Sequence, residues 1–298
     1  MNSKTIDLEK LSTTTDLGYI MSVADVEDLD TLVDYITDSG AGRLALDSTV
    51  CKLLVGAKER GDYTNGERAM IAQEILEFGG NSLSNALRKA RGMLSGSFLD
   101  KVLPDANATV SYEEIVKDVA SHLGVKMPGI ASIADVEIFA MKKILGKAVE
   151  KMTEEEKQAI AKELGLGKIP AGPGGLALLL QGARLGGFAT YKVAVIVANA
   201  VSKAILGKGL KFGAAAAMNK GLSMALGPIG WAVTALWTLS DLASPAYRVT
   251  VPTVIQVAYI RNKLIARESY TTCGVCDETY ERQARFCSHC AAPNQSLV

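Results

Sequence analysis

This sequence predicts an all-α protein: a helical bundle, then a Gly/Ala-rich hydrophobic helical hairpin, then a small zinc ribbon. Three observations carry the prediction. Apolar residues at helical spacing, opened by Ser, Thr or Asp and closed by Gly, fill residues 12–165, where strand signals are scarce. Residues 171–240 hold 15 Ala and 12 Gly, residue types that let helices approach closely. Four of the five cysteines stand in two CxxC doublets within 273–290. Three regions follow: an acidic helical domain (12–165), a cationic Gly/Ala-rich hydrophobic helical region (166–267) and a zinc ribbon (268–298).

The first helix follows Ser22 and Asp25, which resemble a capping box ahead of VEDLDTLVDYI, with Val26, Leu29, Leu32, Val33 and Ile36 at helical spacing. Gly40 and Gly42 punctuate its end. A second run, with Ala69, Ile71, Ile75, Leu76 and Phe78, is expected to stop at Gly79 and Gly80. Asn81 or Ser82 would then cap a further helix through Leu83, Leu87 and Met93. Ser111 caps YEEIVKDVASHL, with Glu113 and Glu114 placed where the helix dipole favours them. Thr153 caps EEEKQAIAKEL in the same way. Residues 165–175, GLGKIPAGPGG, form a Gly/Pro hinge; with no GxxxxGK[ST] and no preceding strand, this is not a phosphate loop. Residues 246–264 are rich in β-branched side chains, yet Val251, Val254, Ile255, Ala258 and Tyr259 keep helical spacing, with Pro252 in the first turn. Arg261, Lys263 and Arg267 suit the C-terminal end of that helix.

The net charge of zero hides an asymmetry. Residues 1–165 carry 27 acidic and 19 basic side chains, a net of −8, whereas 166–267 carry 11 basic side chains and one acid, Asp241. Such a split suggests one part made for water and another for an anionic surface or a close partner. A membrane-spanning helix needs about 20 apolar residues. The stretch GLSMALGPIGWAVTALWTLS (221–240) has twenty residues and no charge. A second candidate, 185–202, is interrupted by Lys192, which at the bilayer centre would cost about 2.5–3.5 kcal/mol. Gly209, Gly213, Ala217, Gly221 and Ala225 recur every fourth residue, a small-residue stripe suited to helix packing, and Pro228, Trp231 and Trp237 belong to the same helix-packing or membrane face. Lys203, Lys208, Lys211 and Lys220 lie between the two apolar runs. A permanent two-span hairpin would put them outside, against the positive-inside tendency. A sheltered hairpin released by a trigger, or lysines resting on anionic lipid headgroups, escapes that objection. The plainer alternative is a buried hairpin of a soluble α-protein.

Cys273, Cys276, Cys287 and Cys290 read C-x2-C-x10-C-x2-C, the spacing of two knuckles that set four thiolates around Zn2+. The segment is too short to build its own core, so metal would supply its folding energy. Four thiolates close the coordination shell, so the site is structural and not hydrolytic. His289 is a bystander inside the second knuckle. Asp277, Glu278 and Glu281 oppose Arg282 and Arg285, so no basic stripe forms and nucleic acid is not expected; docking of a protein partner is. Cys51 reads as a small buried apolar residue. His122 reads as a helix-end residue, Glu154, Glu155 and Glu156 as a solvated helix start. With no HExxH, no GxSxG and no Ser/His/Asp set, no catalytic residue is assigned and a non-enzymatic protein is expected. The start MNSKTIDLEK has no apolar run, so a cytoplasmic location is expected, with association to the inner face of the cell membrane. Self-association into a homo-oligomer is compatible with the small-residue stripe.

Three stretches carry a resemblance. EFGGNSLSNALR (77–88), SPAYRVTVPTVIQVAYIRNKL (244–264) and DLGYIMSVADVEDLDTLVDYI (16–36) are similar to segments of the YaaW-type family of bacterial proteins. The likeness spans nearly all of 12–266, with the zinc ribbon appended. It brings no catalytic residues. The family is classified near ubiquinol-cytochrome c chaperones, which implies protein assembly at a membrane. Two functions are therefore expected: a membrane-engaging protein, in its sharpest form a regulated pore-forming stress or defence effector, or a soluble chaperone or scaffold with the hydrophobic hairpin buried.

Overall fold

In the computed structural model the described residues are 6–44, 46–93, 110–126, 129, 131–172, 174–175, 187–212, 233 and 247–294, with 81–93 described by backbone alone. Among them are ten helices and one two-stranded sheet, so the all-α class holds. The helices are α1 (Leu8–Thr13), α2 (Leu17–Val23), α3 (Val26–Thr37), α4 (Ser48–Arg60), α5 (Asn65–Met93), α6 (Tyr112–His122), α7 (Ile133–Val149), α8 (Glu154–Glu163), α9 (Gly187–Leu206) and α10 (Tyr247–Ser269). The strands are β1 (Tyr270–Thr272) and β2 (Thr279–Glu281).

Local chemistry explains most of the starts. The Asp7, Asp16 and Asp47 carboxylates accept from first-turn amides of α1, α2 and α4. Ser111 with Glu114, Ser132 with Asp135 and Thr153 with Glu156 form full capping boxes on α6, α7 and α8. The box expected at Ser22 and Asp25 does not form. The Ser22 hydroxyl donates to the Tyr19 carbonyl at 2.7 Å, and Asp25 precedes α3 without capping it, because its carboxylate is taken by Lys263 and Arg267. The stop expected at Gly79 and Gly80 is also absent: α5 runs through both. A methyl on Gly79 would lie 2.2 Å from Ile115 Cδ1, so this glycine lets α6 approach and does not end a helix.

One continuous core runs from Leu11 to Ala266 and takes in side chains from both sides of residue 165. Its centre is α10. From Val249 to Ile260 the described side chains are all buried, as expected for a helix apolar all round. Against it lies α9, whose residues Val193–Val201 are almost wholly enclosed. Among the described residues α9 is the one helix long and apolar enough to cross a bilayer, and here it sits within the protein's own core. Lys192 reaches out of that core, donating to the Glu163 carbonyl at 2.7 Å. The Gly/Pro stretch is fastened at its middle, where the Gln158 amide bonds both backbone groups of buried Ile169. Cys51 is buried as expected.

The pair α9–α10 is antiparallel. Phe188, at the start of α9, packs on Tyr270, just past the end of α10, with ring centroids 5.3 Å apart. At the other end Ser202 hydrogen-bonds Tyr35, and Lys208 reaches Asp34 at 2.7 Å, both near the end of α3. Arg248, at the start of α10, acts on Arg43, just beyond α3. The chain therefore leaves α9 and enters α10 at one end of the helical body, while the ribbon grows from the other. With 23 residues, α10 separates those ends by about 35 Å. Of the predicted helix-packing positions, Gly209 lies past the end of α9; Gly213, Ala217, Gly221, Ala225, Pro228, Trp231 and Trp237, with Lys220, fall outside the described residues.

Gly79→Ala should destabilise the fold although alanine is the better helix former. Propensity favours Ala by about 1 kcal/mol, while overpacking against buried Ile115 costs about 1–3 kcal/mol. Melting followed by circular dichroism should show a drop of about 3 °C; an unchanged or raised midpoint would show that Ile115 yields freely.

Candidate metal centre

The chain passes from α10 into the ribbon with no linker: Ser269 ends the helix and Tyr270 opens β1. The strands pair antiparallel, Thr271 opposite Tyr280, and bring the two cysteine doublets together. Each doublet is a tight knuckle built the same way. In the first, the Val275 amide donates to Cys273 Sγ at 3.4 Å and the Asp277 amide to the Cys273 carbonyl at 3.0 Å. In the second, the His289 amide donates to Cys287 Sγ at 3.4 Å and the Ala291 amide to the Cys287 carbonyl at 3.0 Å. Asp277 and Ala291 both turn the chain with φ near +60°.

All four sulfurs lie within 4.8 Å of one another. Cys273 Sγ is 3.6 Å from Cys290 Sγ, and Cys276 Sγ is 3.7 Å from Cys287 Sγ. These separations are far too long for a disulfide, which holds its sulfurs at about 2.05 Å. They match the edge of about 3.8 Å that a tetrahedron requires when each sulfur sits about 2.3 Å from its metal. The amides of Cys276 and Val275 pull the Cys273 thiol below its usual range, while burial and the neighbouring thiols hold those of Cys276 and Cys290 above theirs. All four predicted ligands are thus brought together in a group that could hold a metal ion, and His289 is not part of it.

The ribbon's attachment was not legible. Arg282, read in sequence as a counter-charge, curls onto the end of α10. Its Nη2 donates to the carbonyls of Arg267 (2.7 Å) and Tyr270 (3.1 Å), its Nε to that of Glu268 (3.2 Å), and its amide to that of Ser269 (2.8 Å).

Arg261, Lys263 and Arg267 were read as complements to a helix dipole. The structure corrects this for the first two, which are buried, with 1% and 2% of each exposed. Arg261 pairs with Glu137 through two bonds of 2.8 and 3.0 Å and donates to the carbonyls of Leu11 and Thr14. The Tyr112 hydroxyl donates to the same Glu137 at 2.8 Å. Lys263 sits between Asp25 and Asp28, 2.6 Å from each, and Arg267 holds Asp25 at 3.0 Å. The signal was present: cations on a helix with no polar face cannot all reach water. His122 ends α6 as expected and stacks on Tyr247, centroids 3.6 Å apart.

Relatives match over most of the chain. The chain is 34% identical over 212 residues to a UPF0174 protein of Helicobacter pylori, covering 69% of this chain and 75% of that one. It is 33% identical over 211 residues to another UPF0174 protein of that organism, covering 69% and 92%. It is 26% identical over 259 residues to UPF0174 protein YaaW of Escherichia coli, covering 85% and 96%. No family model and no solved structure matches the chain.

Burial, outweighing the pull of Lys263, raises Asp28 to about 6 from an ordinary 3.8. The folded state therefore holds an extra proton between those values, and stability from this group, full below about pH 4, is lost as pH rises through 6. Asp28→Asn removes that contribution. Calorimetry from about pH 7 down to about pH 4.5 should show the variant's midpoint falling more than the parent's; parallel profiles would contradict the assignment.

Proposed function

The chain belongs to the UPF0174 family, and from the geometry of its own residues we propose that it is a non-enzymatic protein that engages membranes from the cytoplasmic side. The observation that carries this reading is the single end at which the helical body releases and recovers residues 213–246, the stretch that contains the charge-free 221–240. Basic side chains gather at that end. Lys203, Lys208 and Lys211 are exposed near the end of α9, Lys208 paired with Asp34, and Arg43, paired with Asp38, stands with Arg248 beside the start of α10. Each lysine near an anionic surface contributes about 1 kcal/mol. Three of them give about 3 kcal/mol, short of the roughly 4 kcal/mol of a millimolar complex, so the apolar stretch must supply the remainder. In its sharpest form the activity is regulated permeabilisation of the membrane as a stress or defence effector, with the small-residue stripe packing helices, between copies or within one chain.

The ribbon, on this reading, holds structural Zn2+ through Cys273, Cys276, Cys287 and Cys290 and docks a protein partner. Val275 and Phe286, 71% and 59% exposed beside the knuckles, offer the apolar contact. A second reading, a soluble chaperone or scaffold, is favoured by the burial of α9, which places half of the apolar hairpin in the protein's own core.

Flotation of the full chain with phosphatidylcholine vesicles, with and without phosphatidylglycerol, separates the two. The membrane reading expects binding to the anionic vesicles, dye leakage, and loss of both when 213–240 is replaced by a Gly/Ser linker of similar length. Protein that stays in the soluble fraction and leaves the vesicles intact would support the scaffold instead.

A further inference from the structure

We infer that metal occupancy of the four-cysteine ribbon controls how firmly the end of α10 is clamped to α3 and α9, so that the ribbon regulates the helical body. The inference rests on the reading of those thiolates as a metal site and adds to it a coupling path.

A helix ends with carbonyls that its own amides cannot reach. At the end of α10 four successive carbonyls, of residues 267, 268, 269 and 270, are taken by one residue, Arg282, through its guanidinium and its amide. The ribbon holds Arg282 in place. The Arg282 carbonyl accepts from Asn294 Nδ2 at 2.8 Å, and that buried amide also donates to the Ala284 carbonyl at 2.8 Å. The Asn294 amide donates to the Arg285 carbonyl at 2.9 Å, closing the second knuckle onto the strand pair. The ribbon's own buried cluster is Cys273, Tyr280 and Cys287, two of which are metal ligands. A core of that size does not hold a fold without the metal. Arg282 is therefore positioned only while the thiolates are bridged.

The capped turn is also the clamped turn. Arg267 gives its carbonyl to Arg282 and its guanidinium to Asp25. Lys263, one turn earlier, joins Asp25 and Asp28 of the α3 start. Tyr270, whose carbonyl Arg282 also takes, packs on Phe188 at the start of α9. Removing the metal releases Arg282, frays the last turn of α10, and loosens the attachment of α3 and α9.

The test uses full-length protein whose zinc content is measured first, followed by hydrogen exchange with zinc bound and after chelation under a thiol reductant. Amides in 25–34, 187–195 and 262–269 should exchange about tenfold faster without metal, the loss expected for a charged cap of this kind, while those of α4 hold their rate. Arg282→Ala should bind zinc in full yet exchange fast in those segments whether or not metal is present. Body segments that exchange at one rate with and without metal, while the ribbon loses protection, would overturn the coupling and leave the metal site standing. A chain that binds no zinc would overturn the metal reading itself.

Discussion

The fold depends on solving one conflict: α10 must lie at the centre of the protein, and it carries Arg261 and Lys263 into that centre. An isolated buried charge is prohibitive, so the cations can be there only if carboxylates accompany them. Glu137 comes from α7, and Asp25 and Asp28 come from the start of α3. Arg261 also ties down the end of α1 through the carbonyls of Leu11 and Thr14. The ion pairs therefore fix which elements surround α10 and in which register, a task that its apolar faces could not perform alone. The helix bears a further cost. Side-chain polar atoms of Thr253, Gln256 and Tyr259 are buried without partners among the described residues, each a loss of about 1–3 kcal/mol. A helix that tolerates this is held in place by its neighbours and not by local preference.

How far the sequence was legible follows from the range of each interaction. The caps at Ser111 and Thr153 were readable because the hydroxyl and the amide it accepts from lie within one turn. The cysteine knuckles were readable for the same reason: spacing alone sets their shape. Gly79 was misread because terminating a helix and admitting a neighbour leave the same local trace, and the choice rests with Ile115, 36 positions away. The box at Ser22 and Asp25 was misread because the cations that claim Asp25 are more than 230 positions along the chain. Arg282 had no local signature at all, since its role is set by where the strand pair meets a helix end.

The two ends of α10 have different chemistry. At its start stand the basic side chains and the junctions to the charge-free stretch; at its finish stand the thiolates and the Arg282 cap. Among the described residues one apolar helix of membrane-crossing length, α9, is enclosed, and the lysine within it is drawn out to the Glu163 carbonyl, so any exposure of that helix has to displace this contact.

A double-mutant cycle on the Arg261–Glu137 pair tests the central claim most directly. If the pair anchors α10, Arg261→Met and Glu137→Gln should each cost about 3–5 kcal/mol by denaturant unfolding, because each leaves a buried partner behind. The double variant should then lose about as much as one single, an interaction energy of about 3–5 kcal/mol. Single variants within about 0.5 kcal/mol of the parent, or losses that simply add, would contradict it.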